Sequence, residues 1–351
     1  MPVALGTGGK VAIVKGSTWG TAVSLGTGHR VPFKTSGVDY QRDQIENDDL
    51  NESGLRESSH LGNAYVDGPL VINGDYHQLT HMILAAMMMG AAGSPTESPT
   101  GVYTHVMPFA RTNDGLFVSY GVDWGGADVY GYDSVKVASR SVAISSAGRM
   151  EETYQFMGAG VDKTIASTGW TYDTDPTDGN TLRVLHRHNT MRVNASAGGA
   201  LGSSDVVRPT NIQIDFNRAM ASDFAAAGEP DEPSPDGFAA IDVTLTFFGM
   251  TAALLALFRD AKDDGTALKS DLVLDYGVVI PTTAVNYSRA FYFPKLKVVE
   301  CPNSIDGPGK LPFTVKMTAH QAASDPTGFP TGYDEACTEV WVNDEDGDPL
   351  A

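Results

Sequence analysis

Several stretches of the chain hold residue types that could do chemistry, and each lacks the spacing that the chemistry needs. GTGGKV, starting at Gly6, has the glycines and lysine of a phosphate loop. The G-x-x-x-x-G-K-[ST] arrangement is not met, because the four-residue gap is missing and no hydroxyl follows Lys10. A flexible N-terminal arm is the expected reading. HRH, residues 186–188, puts two histidines on one face of an expected strand, but no carboxylate or third ligand stands at a useful spacing for a metal. NDEDGDP near the C-terminus has the acids of a calcium loop. Val342 occupies the place of the first acid, and the chain ends before a twelfth-position glutamate, so a solvated tail is expected.

Tyr76, His77 and His81 lie on an apolar-periodic segment and read as packing or interface groups rather than an acid–base set. The run Met87, Met88, Met89 suits adaptable packing, since unbranched thioethers fill irregular gaps. Cys301 and Cys337 fit no disulfide or metal spacing, and reduced thiols are the default. No G-x-S-x-G elbow occurs. No catalytic residue, cofactor site or metal site is expected, and the chain does not read as an enzyme.

The elements that would hold such residues come in two sets. GNAYVDGPLVINGDYHQLTHMILAA, from Gly62, lies without a gap over GFAAIDVTLTFFGMTAALLALFRDA, from Gly237. Gly62, Ala64, Asp67, Leu70, Gly74, Leu79 and Ala86 meet Gly237, Ala239, Asp242, Leu245, Gly249, Leu254 and Ala261. Upstream, VDYQR at Val38 faces IDFNR at Ile214. Downstream, LFVSYGV at Leu116 faces LVLDYGV at Leu272, and VKV at Val135 faces LKV at Leu296. GRMEETYQFM from Gly148 lies over GKLPFTVKMT from Gly309 at that same offset. Five matches in one order argue for duplication, a reading that comes before any single motif.

Each copy reads as a strand, a long polar loop, an alternating strand ending at a glycine, an apolar-periodic helix, and three more strands. The strands are expected at 38–42 and 212–218, then 64–72 and 239–248, with the last at 151–157 and 313–320. In the second helix Leu254, Leu255, Phe258 and Ala261 share a face and Gly265 suits the position after the C-cap. The first helix should end at Gly90. The expected class is mainly β (α+β), each unit an antiparallel sheet or sandwich with one flanking helix. The expected organisation is an arm at 1–30, a first repeat at 31–157, a connector at 158–208 with a short strand near 182–185, a second repeat at 209–322 and an acidic tail at 323–351.

With 351 residues, 42% of them hydrophobic, the chain can bury a substantial core. Its 43 acidic and 24 basic residues give a net charge of -19, which opposes binding nucleic acid through its phosphates. The N-terminus shows no secretory signal. The longest apolar run, residues 82–89, is too short to span a bilayer, so no membrane insertion is expected.

KVAIVKGSTWGTAV from Lys10, VPFKTSGVDYQRDQIE, LRESSH, the strand at 66–70, the helix ending LAAMMMG and YTHVMPF from Tyr103 together resemble the tail-tube proteins of long-tailed, siphovirus-type bacteriophages. The resemblance implies two tandem tail-tube β-sandwich units, each with a flanking helix, and trimeric, pseudo-hexameric rings stacked into a hollow tube. It implies as partners other copies of the chain, tail-tip or initiator, tape-measure and terminator proteins, and double-stranded DNA that passes without tight binding. The place implied is the virion tail, assembled in the host cytoplasm. Three chains would carry -57 per ring. An acidic bore would repel DNA within a Debye length of roughly 8 Å.

The long loops are the candidates for contact between rings: Gln44, Glu46, Asp48, Asp49, Leu50, Leu55 and Arg56 in the first copy, and Asp223, Phe224, Glu229, Asp231 and Glu232 in the second. The prolines Pro230, Pro233 and Pro235 set the second loop apart. The alternative reading is another phage tail component or a two-domain β-sandwich adhesin.

Overall fold

The computed structural model describes residues 8–46, 59–125, 128–146, 148–173, 182–222, 230–301 and 312–351. The first half runs through β1 (Lys10–Lys15), β2 (Arg30–Val31), β3 (Thr35–Ser36), β4 (Asp39–Glu46), β5 (Ser59–Asn73) and α1 (Leu79–Met89). It continues through β6 (Thr96–Glu97), β7 (Tyr103–Pro108), β8 (Val118–Asp123), β9 (Val129–Ser145) and β10 (Met150–Ala159). The second half has β11 (Asn189–Ala195), β12 (Val206–Val207), β13 (Asn211–Asn217), β14 (Met220–Ala221), β15 (Ser234–Pro235) and β16 (Ala240–Phe247). Then come α2 (Ala252–Asp263), β17 (Leu268–Val279), β18 (Asn286–Glu300), β19 (Phe313–Ala319) and β20 (Thr338–Asn343). The fold is mainly β, as expected, with two α-helices among the described residues.

Strand pairing repeats as the sequence does. Antiparallel neighbours follow the order β4–β5–β10–β9–β8–β1–β2 in the first half. The second half follows β13–β16–β19–β18–β17–β11–β12. Segments expected as an arm and a connector therefore contribute matching strands to the two ladders. In β11 the buried positions Met191 and Val193 alternate with more exposed ones, the period-two pattern of a half-buried strand. Residues 182–185 form only isolated bridges, to Asp75 and Arg149.

The two helices sit in different surroundings. α1 touches β9, β1, β2 and β7, and it buries Thr80, His81, Met82, Leu84 and everything from Ala85 to Met89. Each fully buried Met or Leu contributes about 1.5–3 kcal/mol. α2 packs on β18 and buries only Phe258 and Ala261, with Leu254 and Leu255 half-covered. Thr251 caps its start, its Oγ1 accepting from Leu254 N at 3.2 Å. Both helices end at left-handed glycines, Gly90 at φ 79° and Gly265 at φ 66°, as the sequence predicts.

The C-terminal segment departs from expectation. It supplies β20, which pairs with β18 on one edge and β7 on the other, closing the second half onto the first. Trp341 is fully buried there, and Asn343 donates to Tyr76 O at 3.0 Å. The acids at the end of the chain follow a strand that the core holds.

Four charges buried without exposure lie where β9, β10, β18 and β20 meet. Arg140 Nη2 is 2.6 Å from Glu152 Oε2, and its Nη1 is 2.6 Å from Glu339 Oε2. Arg289 Nη1 is 2.7 Å from Glu152 Oε1, and its Nη2 is 2.6 Å from Glu339 Oε1. Tyr154 donates to Glu152 at 2.7 Å and Trp341 Nε1 to Glu339 at 2.8 Å. Burial alone would raise both carboxyls, but the two guanidiniums hold them below the usual carboxylate range.

Removing one carboxylate leaves an uncompensated buried cation, a change that costs about 3–5 kcal/mol. Glu339→Ala should therefore lower the stability of the folded chain by about that amount, read as a shift in the chemical-denaturation midpoint. An unchanged midpoint would show that the four charges are energetically redundant.

Candidate assembly surface

Besides the β20–β7 pair, the two halves join edge to edge through β9 and β13. β13 runs antiparallel to the C-terminal part of β9, with Asn211 opposite Ser145 and Asn217 opposite Ser139. Ser141 donates to Asp215 at 2.6 Å across this pair. The N-terminal part of β9 pairs on β8 instead, so one long strand serves both its own half and the next.

Arg218 closes the junction. Its backbone N–H donates to Ala138 O at 3.0 Å. Its guanidinium donates to Met88 O at 3.0 and 2.7 Å, to Met89 O at 2.7 Å and to Ala110 O at 2.7 Å. The same group lies 4.0 Å from the Phe109 ring centroid. The last carbonyls of α1 have no partners within the helix and carry its partial negative charge, so the second half supplies a cationic cap to the helix of the first. Burial lowers the Arg218 pKa to about 10, which leaves it charged at neutral pH. A Cβ at Gly90 would meet Thr112 O at 2.5 Å and Arg218 Nη2 at 2.8 Å, so this turn needs glycine for space as well as for φ.

An ion pair also spans the junction. Lys136 on β9 is fully buried and donates to Glu232 at 2.6 Å and to Pro233 O at 3.0 Å; Gly115 N also donates to Glu232, at 2.7 Å. Glu232, a loop candidate from sequence, thus binds within the chain, while Asp231 beside it is exposed. Gln44 and Glu46 lie on β4, opposite Leu61 and Ser59, on an exposed strand end. Asp48, Asp49, Leu50, Leu55, Arg56, Asp223, Phe224 and Glu229 lie outside the described residues.

Sequence reasoning did not single out Arg218 or Lys136. The signal was present in the last residue of IDFNR and the middle of VKV, both inside repeat matches. Their partners stand on other elements, and no local pattern points to them.

The same edges at the outer ends of the two halves are open. Among the described residues β4 pairs with β5 alone, and its residues from Gln41 to Glu46 are exposed. At the other end, Val299 is 56% exposed and follows the part of β18 that pairs with β17. Ile45 and Leu61, at 59% and 65%, add apolar surface beside the β4 edge. An unpaired strand edge is a ready template for another chain.

The stretches that could have done chemistry are built into packing. HRH forms a 3-10 turn, not a strand, because Asn189 and Leu185 fold back on it. His188 Nδ1 is 3.1 Å from the Tyr76 hydroxyl, and His186 Nε2 is 3.2 Å from Pro209 O. His81 is enclosed, with Nε2 3.2 Å from Pro32 O. Among the described residues, no group of three or more His, Cys, Asp or Glu side chains is arranged to hold a metal. No helix of the described residues is long and apolar enough to cross a membrane.

A model of the phage tail tube protein family matches residues 6–326. A search of the curated proteins found no match.

Two consequences can be measured. Arg218→Ala strips several charge-assisted hydrogen bonds from buried carbonyls and should cost roughly 2–4 kcal/mol, with α1 amides losing hydrogen-exchange protection first. Protection lost evenly over both halves would contradict the capping role. Burial pushes the His81 imidazole down to about 4, so the unfolded chain binds this proton more readily than the folded one. Stability should then fall as pH drops from about 6.5 to 4, by up to about 3 kcal/mol from this group. His81→Gln should flatten that window in a denaturation series, and an equally steep fall in the variant would assign it to other groups.

Proposed function

The chain belongs to the phage tail tube protein family, and on that premise we propose that three copies close into a ring of six like units, stacked into a hollow tube that conducts viral DNA. Membership makes it a structural component of a viral tail. The finer reading is carried by the β9–β13 junction. One half of a chain already joins the next by edge pairing, and each chain ends in the two complementary halves of a second such junction. A head-to-tail contact that closes after a fixed number of steps makes a ring. Two units per chain and sixfold quasi-symmetry require three chains.

The repeat also gives a register. Gln41 corresponds to Asn217 and Glu300 to Ser139, so Gln41 of one chain faces Glu300 of the next as Asn217 faces Ser139 within the chain. Tyr40 then faces Cys301. On this reading a unit is the whole seven-strand ladder, with β1–β2 and β11–β12 included.

The segments between β4 and β5 and between β13 and β16 supply the contact with the adjacent ring, the role assigned to the candidates above with the exception of Glu232, which pairs with Lys136 within the chain. A net charge of -19 per chain keeps an acidic bore from holding DNA. Siphovirus-type tails supply the other partners: a tip or initiator complex, a tape measure and a terminator. Assembly takes place in the host cytoplasm.

Negative-stain microscopy with light scattering on concentrated protein tests this. The expected particles are hollow tubes or rings of three 37.2 kDa chains, about 112 kDa each. Replacing residues 47–58 by a short Gly-Ser linker keeps the Gln44–Leu61 and Glu46–Ser59 pairs, and it should leave rings that no longer stack. Tubes unaltered by that change would remove the first loop from the axial contact. A chain that stays monomeric even with tail-tip components, or stops at a closed oligomer with aromatic ligand pockets, would favour an adhesin.

A further inference from the structure

We propose that Arg42 of one chain caps the C-terminal end of α2 in the next chain, as Arg218 caps α1 within a chain; this rests on the ring reading and names the contact that closes it. Arg42 ends VDYQR and Arg218 ends IDFNR, at the same place relative to the open edge of β4 and the paired edge of β13. Arg218 is 1% exposed, and its guanidinium donates to Met88 O and Met89 O of α1 and to Ala110 O beyond it. Arg42 is exposed and forms no hydrogen bond or ion pair among the described residues.

The receiving site is open in the single chain. Met88, Met89 and Gly90 correspond to Asp263, Asp264 and Gly265 in the gap-free repeat. A Cβ built on Gly90 lies 2.8 Å from the Arg218 guanidinium, whereas one built on Gly265 finds only Lys297 Nζ, at 4.0 Å. Among the described residues, the space that the Arg218 guanidinium fills over α1 is approached over α2 by the Lys297 ammonium alone. Val299, which corresponds to Ala138, is exposed, and Ala138 O is the acceptor for Arg218 N in the first junction.

Charge points the same way. α2 ends with exposed Asp260, Asp263 and Asp264, against the negative end of its own dipole, and carries Lys262 as its basic residue in the last turn. Lys297 reaches the Gly265 carbonyl and leaves the two terminal aspartates to solvent. An incoming guanidinium meets carbonyls and carboxylates together. The first half buries its arginine against Phe109 and Ala110 of the segment between α1 and β8; α2 connects to β17 through residues 264–267 alone, and the aspartates replace that segment's contribution. Contact between chains through such a pair weakens with salt, as charge pairs near a surface do.

The test uses the full-length chain, its critical concentration for assembly by light scattering, and its denaturation midpoint. Arg42→Ala should leave the midpoint unchanged, because Arg42 is exposed in the single chain, and raise the critical concentration by on the order of tenfold. Arg42→Glu should block assembly, and Arg42→Glu combined with Asp263→Arg and Asp264→Arg should restore it. An Arg42→Ala chain that assembles like the parent overturns the proposal. So does a triple variant that stays unassembled while the Asp263→Arg, Asp264→Arg chain is folded, since the partner of Arg42 would then lie elsewhere. A parent chain that never assembles, with or without tail-tip components, removes the ring itself and is told apart from both by failing before any substitution is made.

Discussion

The architecture depends on the four charges of Arg140, Glu152, Arg289 and Glu339. They come from β9 and β10 of the first half, β18 of the second and β20 near the C-terminus, and all are removed from solvent. Apolar residues of similar size would pack here without the desolvation cost of four ions. They would not discriminate between registers as these do. Each carboxylate is met by both guanidiniums, so a shift of any one strand by one residue turns a buried charge away from its partners. That constraint fixes where β20 lies, and β20 in turn bridges β18 and β7.

Within this frame, duplication has produced units alike in pairing and unlike in exposure. α1 is closed over by β7 and by the cap from Arg218, and its run of methionines fills the enclosed space. α2 has no segment comparable to β6 and β7 after it, and most of its outer face is open. The difference follows from position in the chain. The helix of the first unit is covered by β7 and by Arg218 of the second, and among the described residues α2 has no equivalent cover.

The family assignment fits a molecule whose polar residues are spent on holding strands together. Tyr76, His81 and His188 are drawn into packing and hydrogen bonds with backbone or one another, and both cysteines are buried and free. The surface carries, among its polar groups, many acidic residues, together with the open edge of β4 and scattered apolar side chains such as Ile45 and Leu61.

The sequence by itself determined the duplication, the order of strands and helix in each unit, and the ends of both helices at Gly90 and Gly265. These are local properties. Alternation reports the two faces of a strand, and a left-handed turn after a helix selects glycine whatever surrounds it. The arm and connector were less legible because the equivalence of β1 and β11 lies in what they pair with, not in matching residues. Only the tertiary structure decided that the acidic end follows a buried strand, and that of two arginines ending the same motif Arg218 is a buried cap and Arg42 is exposed. Their local sequences are nearly alike; what separates them is whether an element more than a hundred residues away in the same chain presents helix carbonyls to them, and no short-range pattern encodes such a contact.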